Sequence, residues 1–404
     1  MSPYHPLTET EAIRVARSID GVFSPEGELA CREIGDGNLN LVFRVTQPST
    51  GAGVIVKQAL PYAKVVGESW PLTLDRARIE SDALRVEGRL APGLVPQVYY
   101  ADNALALTVM EDLSSHVIMR RGLIEGGVYP KFADDISEFL ARTLFFTSDL
   151  GMNQQEKKTL AASFSNPELC KITEDLIFDH PYADADTNSF DDHLKEAAAQ
   201  LWTDDALHLE VARLREKFLT HAQALLHGDL HTGSIFVTPE STKVIDPEFA
   251  YYGPMGFDIG AVIANLLLHY AAQEHWSADA SSRQARRAYL SGSVRDVWTG
   301  FERKFRALWD AHGVDRIAST AGYQDDYLKR LLQDTAGFAG AKMVRRIVGL
   351  AHVADIDNIP NANVRKQAQT IALAIGTTLI KRNRRLTSIE QLIDIAESET
   401  ADRG

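Results

Sequence analysis

The residues of this chain best suited to chemistry fall in two short clusters, His227-Gly228-Asp229-Leu230-His231 and Asp246-Pro247-Glu248. Between them lie two apolar runs, Ile235-Phe236-Val237 and Lys243-Val244-Ile245, joined by a Thr-Pro-Glu-Ser turn. These read as the strands of a hairpin. One acid then stands before the first strand and two after the second, and a single hairpin is long enough to fold Asp246 back beside Asp229. That arrangement suits phosphoryl transfer, in which one carboxylate meets a hydroxyl nucleophile and another holds the magnesium that bridges the phosphates. Two plainer readings compete. His227, Asp229 and His231 alternate, so on a strand they would share a face as metal ligands do. Gly228 and Thr232-Gly233-Ser234 argue for a loop instead, and no further ligand cluster follows. A purely structural polar hairpin is the other reading, although packing does not call for acids at two strand ends.

His227-Gly228-Asp229, with Asp246 after the hairpin, resembles the catalytic and metal-binding loops of the protein-kinase-like superfamily. It is closest to the small-molecule branch that includes the aminoglycoside phosphotransferases. The resemblance implies that Asp229 stands at the base position and Asp246 at the metal position. There are two departures. The place of the usual metal-binding Asn is taken by Ser234, a neutral oxygen of shorter reach. The usual Asp-Phe-Gly is replaced by Asp246-Pro247-Glu248, in which Glu248 restores an acidic ligand. The implied metal set is therefore Asp246, Glu248 and Ser234.

Bulk properties bound the rest. A chain of 404 residues is long enough for two lobes with a substantial core. The formal charge of −13 argues against nucleic acid as a partner, because a phosphate backbone wants a basic face. Two cysteines, Cys31 and Cys170, build no disulfide framework and suit a reducing cytoplasm. No apolar run reaches the length of a membrane span, and the first residues lack the pattern of a signal peptide. The expectation is a cytoplasmic protein without membrane attachment.

These residues need elements to hold them. Thr8 and Glu11 form a capping box for a helix over residues 8–19, with Ala12, Ile13, Val15 and Ala16 as its apolar face. Strands at 29–34 and 41–45 flank Gly35-Asp36-Gly37-Asn38-Leu39-Asn40. Such a segment lets backbone approach a nucleotide's phosphates, and it is equally a good ordinary turn. The next strand, from Gly53, ends in a single lysine, Lys57, which needs a partner if buried. A helix over 74–90 follows. The kinase resemblance implies that Lys57 pairs the phosphates and a glutamate of this helix. Glu80 is taken as that partner, with Asp75, Asp82 and Glu87 as alternatives.

Between Lys57 and the helix, residues 59–78 read as a long exposed insertion. It carries Trp70, which either belongs to a lid over the substrate or docks on the small lobe. Here the resemblance narrows. VKQALPYAKVVGESWPLTLDRARIE is similar to the 5-methylthioribose kinase family, as are HGDLHTGSIF with its Ser234, the Asp-x-Glu of Asp246 and Glu248, and the run from Lys342 to His352. The resemblance covers most of the chain, from Gly35 to about Asp357. It implies that Glu111, Asp112 and Leu113, at the end of a strand, offer backbone groups to adenine. Edge-strand termination is the local alternative.

Helical periodicity dominates after Tyr129, including 132–148, 206–225 and most of 280–398. Asp258 opens an apolar helix and reads first as its N-cap. The resemblance implies instead a brace for the catalytic loop. Arg345 and Arg346 are adjacent on a helix and so point about 100° apart. One is expected at the cleft, donating to sugar hydroxyls, and the other at a carboxylate or in solvent. A plain salt bridge is the competing reading.

The expected fold is α+β, a two-lobe protein-kinase-like fold with a β-rich N-lobe over 1–113 and a mainly helical C-lobe over 114–404. The resemblance implies ATP and magnesium as cofactors, 5-methylthioribose as the sugar substrate, its 1-phosphate as the product in methionine salvage, and a homodimer. A kinase of aminoglycosides or amino alcohols would use the same phosphate machinery, and a nucleotide-binding module without catalysis is the reading from another class.

Overall fold

The computed structural model describes residues 4–34, 40–63 and 67–401, apart from the side chains of 63 and 67–70. Gly35 and Gly37, and the side chain of Trp70, therefore lie outside the described residues. The chain folds as two compact units, one formed by residues 1–116 with 243–250 and the other by 117–242 with 251–404.

The first unit opens with α1 (Glu9–Arg17), whose Thr8–Glu11 capping box forms as expected. Strands β1 (Ala30–Glu33), β2 (Asn40–Thr46) and β3 (Gly53–Ala59) follow, then the short pair β4 (Tyr62–Ala63) and β5 (Gly67–Pro71), helix α2 (Arg76–Leu90), and strands β6 (Val98–Asp102) and β7 (Leu107–Glu111). Five strands make an antiparallel sheet in the order β1-β2-β3-β7-β6. Alternation along β3 decides its use. Val54 and Val56 enter a core with Phe43, Val45, Val109, Ala12 and Ala16. Lys57 is left on the opposite face, where α2 packs. The expectation of an exposed insertion over 59–78 fails at its ends. Leu60, Leu72 and Ala77 are buried, and Arg76 is wholly so. The segment doubles back through the β4–β5 pair rather than looping freely.

The second unit begins with β8 (Val117–Ile118) and α3 (Met119–Ile124), followed by α4 (Phe132–Phe146), α5 (Gln154–Ser163), α6 (Pro167–Phe178), α7 (Lys195–Leu201) and α8 (Asp205–Thr220). Helix α8 stops at Thr220 rather than running to Leu225. The apolar residues beyond it form strand β9 (Ala224–Leu226), which leads into the first polar cluster. Strand β10 (Ile235–Val237) pairs with β8. The turn after it closes through Thr238 N–H to Ser241 O before β11 (Thr242–Val244), and β12 (Tyr251–Gly253) pairs with β9.

Helices complete the chain: α9 (Gly256–Ala271), α10 (Gln273–Trp276), α11 (Ala280–His312), α12 (Tyr323–Val348), α13 (Ala354–Asp357), α14 (Ala362–Arg382) and α15 (Ile389–Ala401). Every residue of α9 is buried. Two glycines let α12 lie directly on it: a Cβ at Gly260 would sit 2.7 Å from Thr335 O, and one at Gly256 would sit 2.9 Å from Thr335 N. On its other side α12 meets α14 at a similar pinch, where a Cβ at Gly340 would be 2.4 Å from Gly376 O. Among the described residues no helix is long and apolar enough to cross a membrane.

Candidate active site

The first unit gathers one constellation. Lys57 Nζ donates to Glu80 Oε1 at 2.7 Å and also to Asp246 Oδ1. Glu80 is thus the acid on α2 that meets the lysine. Burial alone would lower Lys57, but Asp246, Glu80 and Glu248 outweigh it and hold the ammonium charged. Glu248 is fixed from another side. Arg76, with no exposed surface, donates through Nη1 to Glu248 Oε2 at 3.1 Å and to Asn40 Oδ1, and through Nη2 to Leu60 O at 2.8 Å. Asn40 Nδ2 adds a longer donation to Glu248 at 3.5 Å. Burial raises both Glu80 and Glu248, and the nearby Asp246 carboxylate pushes each further up.

Three carboxylates thus face two cations in this constellation. Asp246 adopts φ 71°, a left-handed backbone that is strained for a residue with a Cβ. Such strain costs on the order of 1–3 kcal/mol and persists where the surroundings fix it. Among the described residues no group of three or more His, Cys, Asp or Glu forms a ready-made metal cage. The surplus of hard oxygen donors still fits magnesium, which takes one or two carboxylates and completes its shell with water and substrate phosphates. Asp246, its side chain 40% exposed, and Glu248 are the residues that would hold it.

The side chains at the end of β7 are tied locally. Glu111 accepts from Lys243 Nζ at 3.2 Å and from Gln97 N–H at 3.1 Å. Asp112 accepts from Arg44 Nε at 2.7 Å and from Ser114 N–H at 2.9 Å. Leu113 is buried, and its carbonyl accepts from His116 N–H.

The second unit gathers the other constellation around Asp229. Its loop is braced by Asp258, which accepts the backbone N–H of His227 at 2.7 Å and that of Gly228 at 3.1 Å. Asp258 is therefore not an N-cap. Helix α9 begins at Gly256, and the carboxylate in its first turn reaches back to the loop. Ser234 stitches the turn: Oγ accepts His231 N–H at 3.0 Å and lies 2.9 Å from His231 O and 3.1 Å from Asp229 O as donor. His231 Nδ1 accepts the N–H of Gly233 and of Ser234, so its ring proton belongs on Nε2, 3.4 Å from Asp229 Oδ2. Burial, with Arg120, Arg346 and Lys342 nearby, pushes His231 down to about 3 despite Asp229. It is neutral at physiological pH.

Asp229 Oδ1 accepts from Lys342 Nζ at 2.8 Å. Burial by itself would raise Asp229, but Lys342 first, with Arg346 and Arg345, holds it well below the usual carboxylate range. Among the described residues neither arginine pairs with a carboxylate, which speaks against the plain salt-bridge reading. Arg346 Nη1 donates to the carbonyls of Ala351 and His352, both at 3.2 Å. Arg345 keeps Nε and Nη1 buried with no partner among the described residues. Arg120 adds a further cation, with Nη2 on Asn265 Oδ1 at 3.1 Å and Nε 3.4 Å from Asp355.

Three of these residues were not singled out from sequence: Arg76, Arg120 and Lys342. A signal existed for Lys342. Positions 342, 345 and 346 are spaced i, i+3 and i+4, which places one residue between two neighbours on a single helical face. Adjacent arginines point apart, yet they flank the same lysine.

Comparison with known proteins agrees with this chemistry. The profile of the family described as "Phosphotransferase enzyme family" matches residues 30–297. A methylthioribose kinase from Geobacillus sp. strain WCH70 is 54% identical over 390 residues, covering 96% of this chain and 95% of its own. One from Bacillus pumilus strain SAFR-032 is 45% identical over 399 residues, covering 99% of this chain and 98% of its own. Among solved structures, an ethanolamine kinase from Plasmodium vivax aligns over 98% of this chain and 89% of its own, at 12% identity and a TM-score of 0.46. With close identity along almost its whole length, the chain belongs to the methylthioribose kinases of the phosphotransferase enzyme family.

Proposed function

We propose that this protein transfers the γ-phosphoryl group of ATP to the anomeric hydroxyl of 5-methylthioribose, giving 5-methylthioribose 1-phosphate for methionine salvage. The observation that carries the reading is Asp229: an ionised carboxylate with one oxygen bound by Lys342, on a loop braced by Asp258. Such a group is a weak base and a well-oriented hydrogen-bond acceptor. An anomeric hydroxyl is more acidic than an ordinary alcohol, and phosphoryl transfer through a loose transition state asks mainly for positioning and charge stabilisation. Asp229 therefore orients the sugar hydroxyl and takes its proton as the new P–O bond forms.

In the first unit, Lys57 neutralises phosphate charge and is itself held by Glu80. Gly35, Gly37 and Asn40 border the phosphates, and Glu111, Asp112 and Leu113 present backbone to adenine. Pro247 borders the nucleotide between Asp246 and Glu248, and Ser234 offers a neutral oxygen on the catalytic loop. Magnesium, when bound, neutralises charge on the phosphates. Trp70, Arg345 and Arg346 contact the sugar. The division of labour assigns nucleotide to 1–113 together with Asp246 and Glu248, and sugar to the remainder of 114–404. Lys342, Arg345, Arg346 and Arg120 favour a neutral acceptor over a cationic one such as an aminoglycoside or choline. We further propose that the enzyme is cytoplasmic and acts as a homodimer.

The test is ATP consumption by the purified protein with methylthioribose, ribose, choline or kanamycin. Turnover confined to methylthioribose is the expected result. Turnover on choline or kanamycin instead would overturn the sugar assignment, and ATP binding without any turnover would overturn the kinase.

A further inference from the structure

Lys342 is a buried ammonium on α12. Its side chain is 4% exposed, it sits in a helix whose neighbours Ala341, Met343 and Val344 are buried, and its Nζ lies 4.6 Å from the centre of the Phe257 ring. Burying a charge is costly unless it is paired. The partner is Asp229 Oδ1, at 2.8 Å. Building on the phosphotransfer reading, we propose that Lys342 is the positioning residue of Asp229: it occupies Oδ1, fixes the plane of the carboxylate, and leaves Oδ2 to meet the acceptor hydroxyl.

The loop backbone is already set without it. Asp258 grips the N–H groups of His227 and Gly228, and Ser234 Oγ reaches Asp229 O. None of these contacts fixes rotation of the Asp229 side chain. His231 Nε2, 3.4 Å from Oδ2, is too distant to do so. Lys342 does, and it is delivered by a helix that cannot drift, since α12 is clamped through Gly256 and Gly260 on one side and through Gly340 on the other. Lysine suits the place because a compact ammonium fits between a carboxylate and an aromatic face.

The test compares wild type, Lys342→Met and Lys342→Arg in steady-state kinetics, alone and in an Asp229→Asn background. A misplacement of about 1 Å costs on the order of 100-fold in rate, so Lys342→Met is expected to lower kcat by about that factor with the nucleotide KM little changed. Lys342→Arg should recover part of the loss. In the Asp229→Asn background Lys342→Met should cost little more, because it acts through that carboxylate. A Lys342→Met enzyme with wild-type kcat would overturn the proposal. So would losses that multiply in the double variant, or a nucleotide KM rising in step with the fall in kcat. Crystals of Lys342→Met, or of Lys342→Gln should the first not fold, decide the point without any acceptor: the Asp229 carboxylate is expected to turn, and one left in place sinks the inference. A wild-type protein inactive on methylthioribose would sink the proposed substrate and leave this result standing.

Discussion

Asp229 illustrates how a residue's neighbours set its chemical role. A carboxylate held ionised by surrounding cations orients a hydroxyl well and keeps a proton poorly. Replacing it by Asn preserves shape and removes the charge. Asp229→Asn should therefore bind ATP normally in calorimetry while turnover falls by about 100- to 10,000-fold, the usual span for a lost acid–base group. Near-normal turnover would remove Asp229 from the mechanism. This residue was legible in the sequence, as were Lys57 and Asp246, because each closes a short polar cluster or an apolar strand. Arg76 and Lys342 were not. Each sits amid helix-forming residues, and its meaning lies in an acid distant in the chain, Glu248 or Asp229. Local pattern carries no record of such pairings.

The elements follow the same division. The capping box at Thr8, the strand from Gly53 that carries Lys57 and the buried α9 were readable from local pattern, although that strand runs on to Ala59. The end of α8 was not, because Leu225 and Leu226 look like a last helical turn, and strand β9 is too short to display a period of its own. Asp258 stood between two readings: local pattern alone made it an N-cap, whereas the resemblance implied the brace that its bonds to His227 and Gly228 form. Glycines within α9 have a measurable purpose. A methyl group at Gly260 would meet Thr335 O at 2.7 Å. Gly260→Ala should lower stability by about 1–3 kcal/mol in urea titration, as overpacking does, against a small gain expected from helix propensity. An unchanged or raised midpoint would show that α12 has room to move.

At the scale of the whole chain, composition and the order of motifs foretold the fold class, since acids and lysine fall in kinase order along a β-rich first part and a helical remainder. Assembly left no such mark. For the proposed homodimer, light scattering on the eluting protein should give twice the chain mass of 44.6 kDa, and a single-chain mass would refute it. The glycine pinch between α12 and α14 also says where this chain can change length. One residue inserted between Gly340 and Lys342 would turn everything after it by about 100° and advance it by about 1.5 Å. Lys342, Arg345 and Arg346 would leave Asp229 together, whereas an insertion before α12 begins would be absorbed in the turn. Deletions and insertions in natural relatives should therefore gather at the ends of this helix and spare its last three turns.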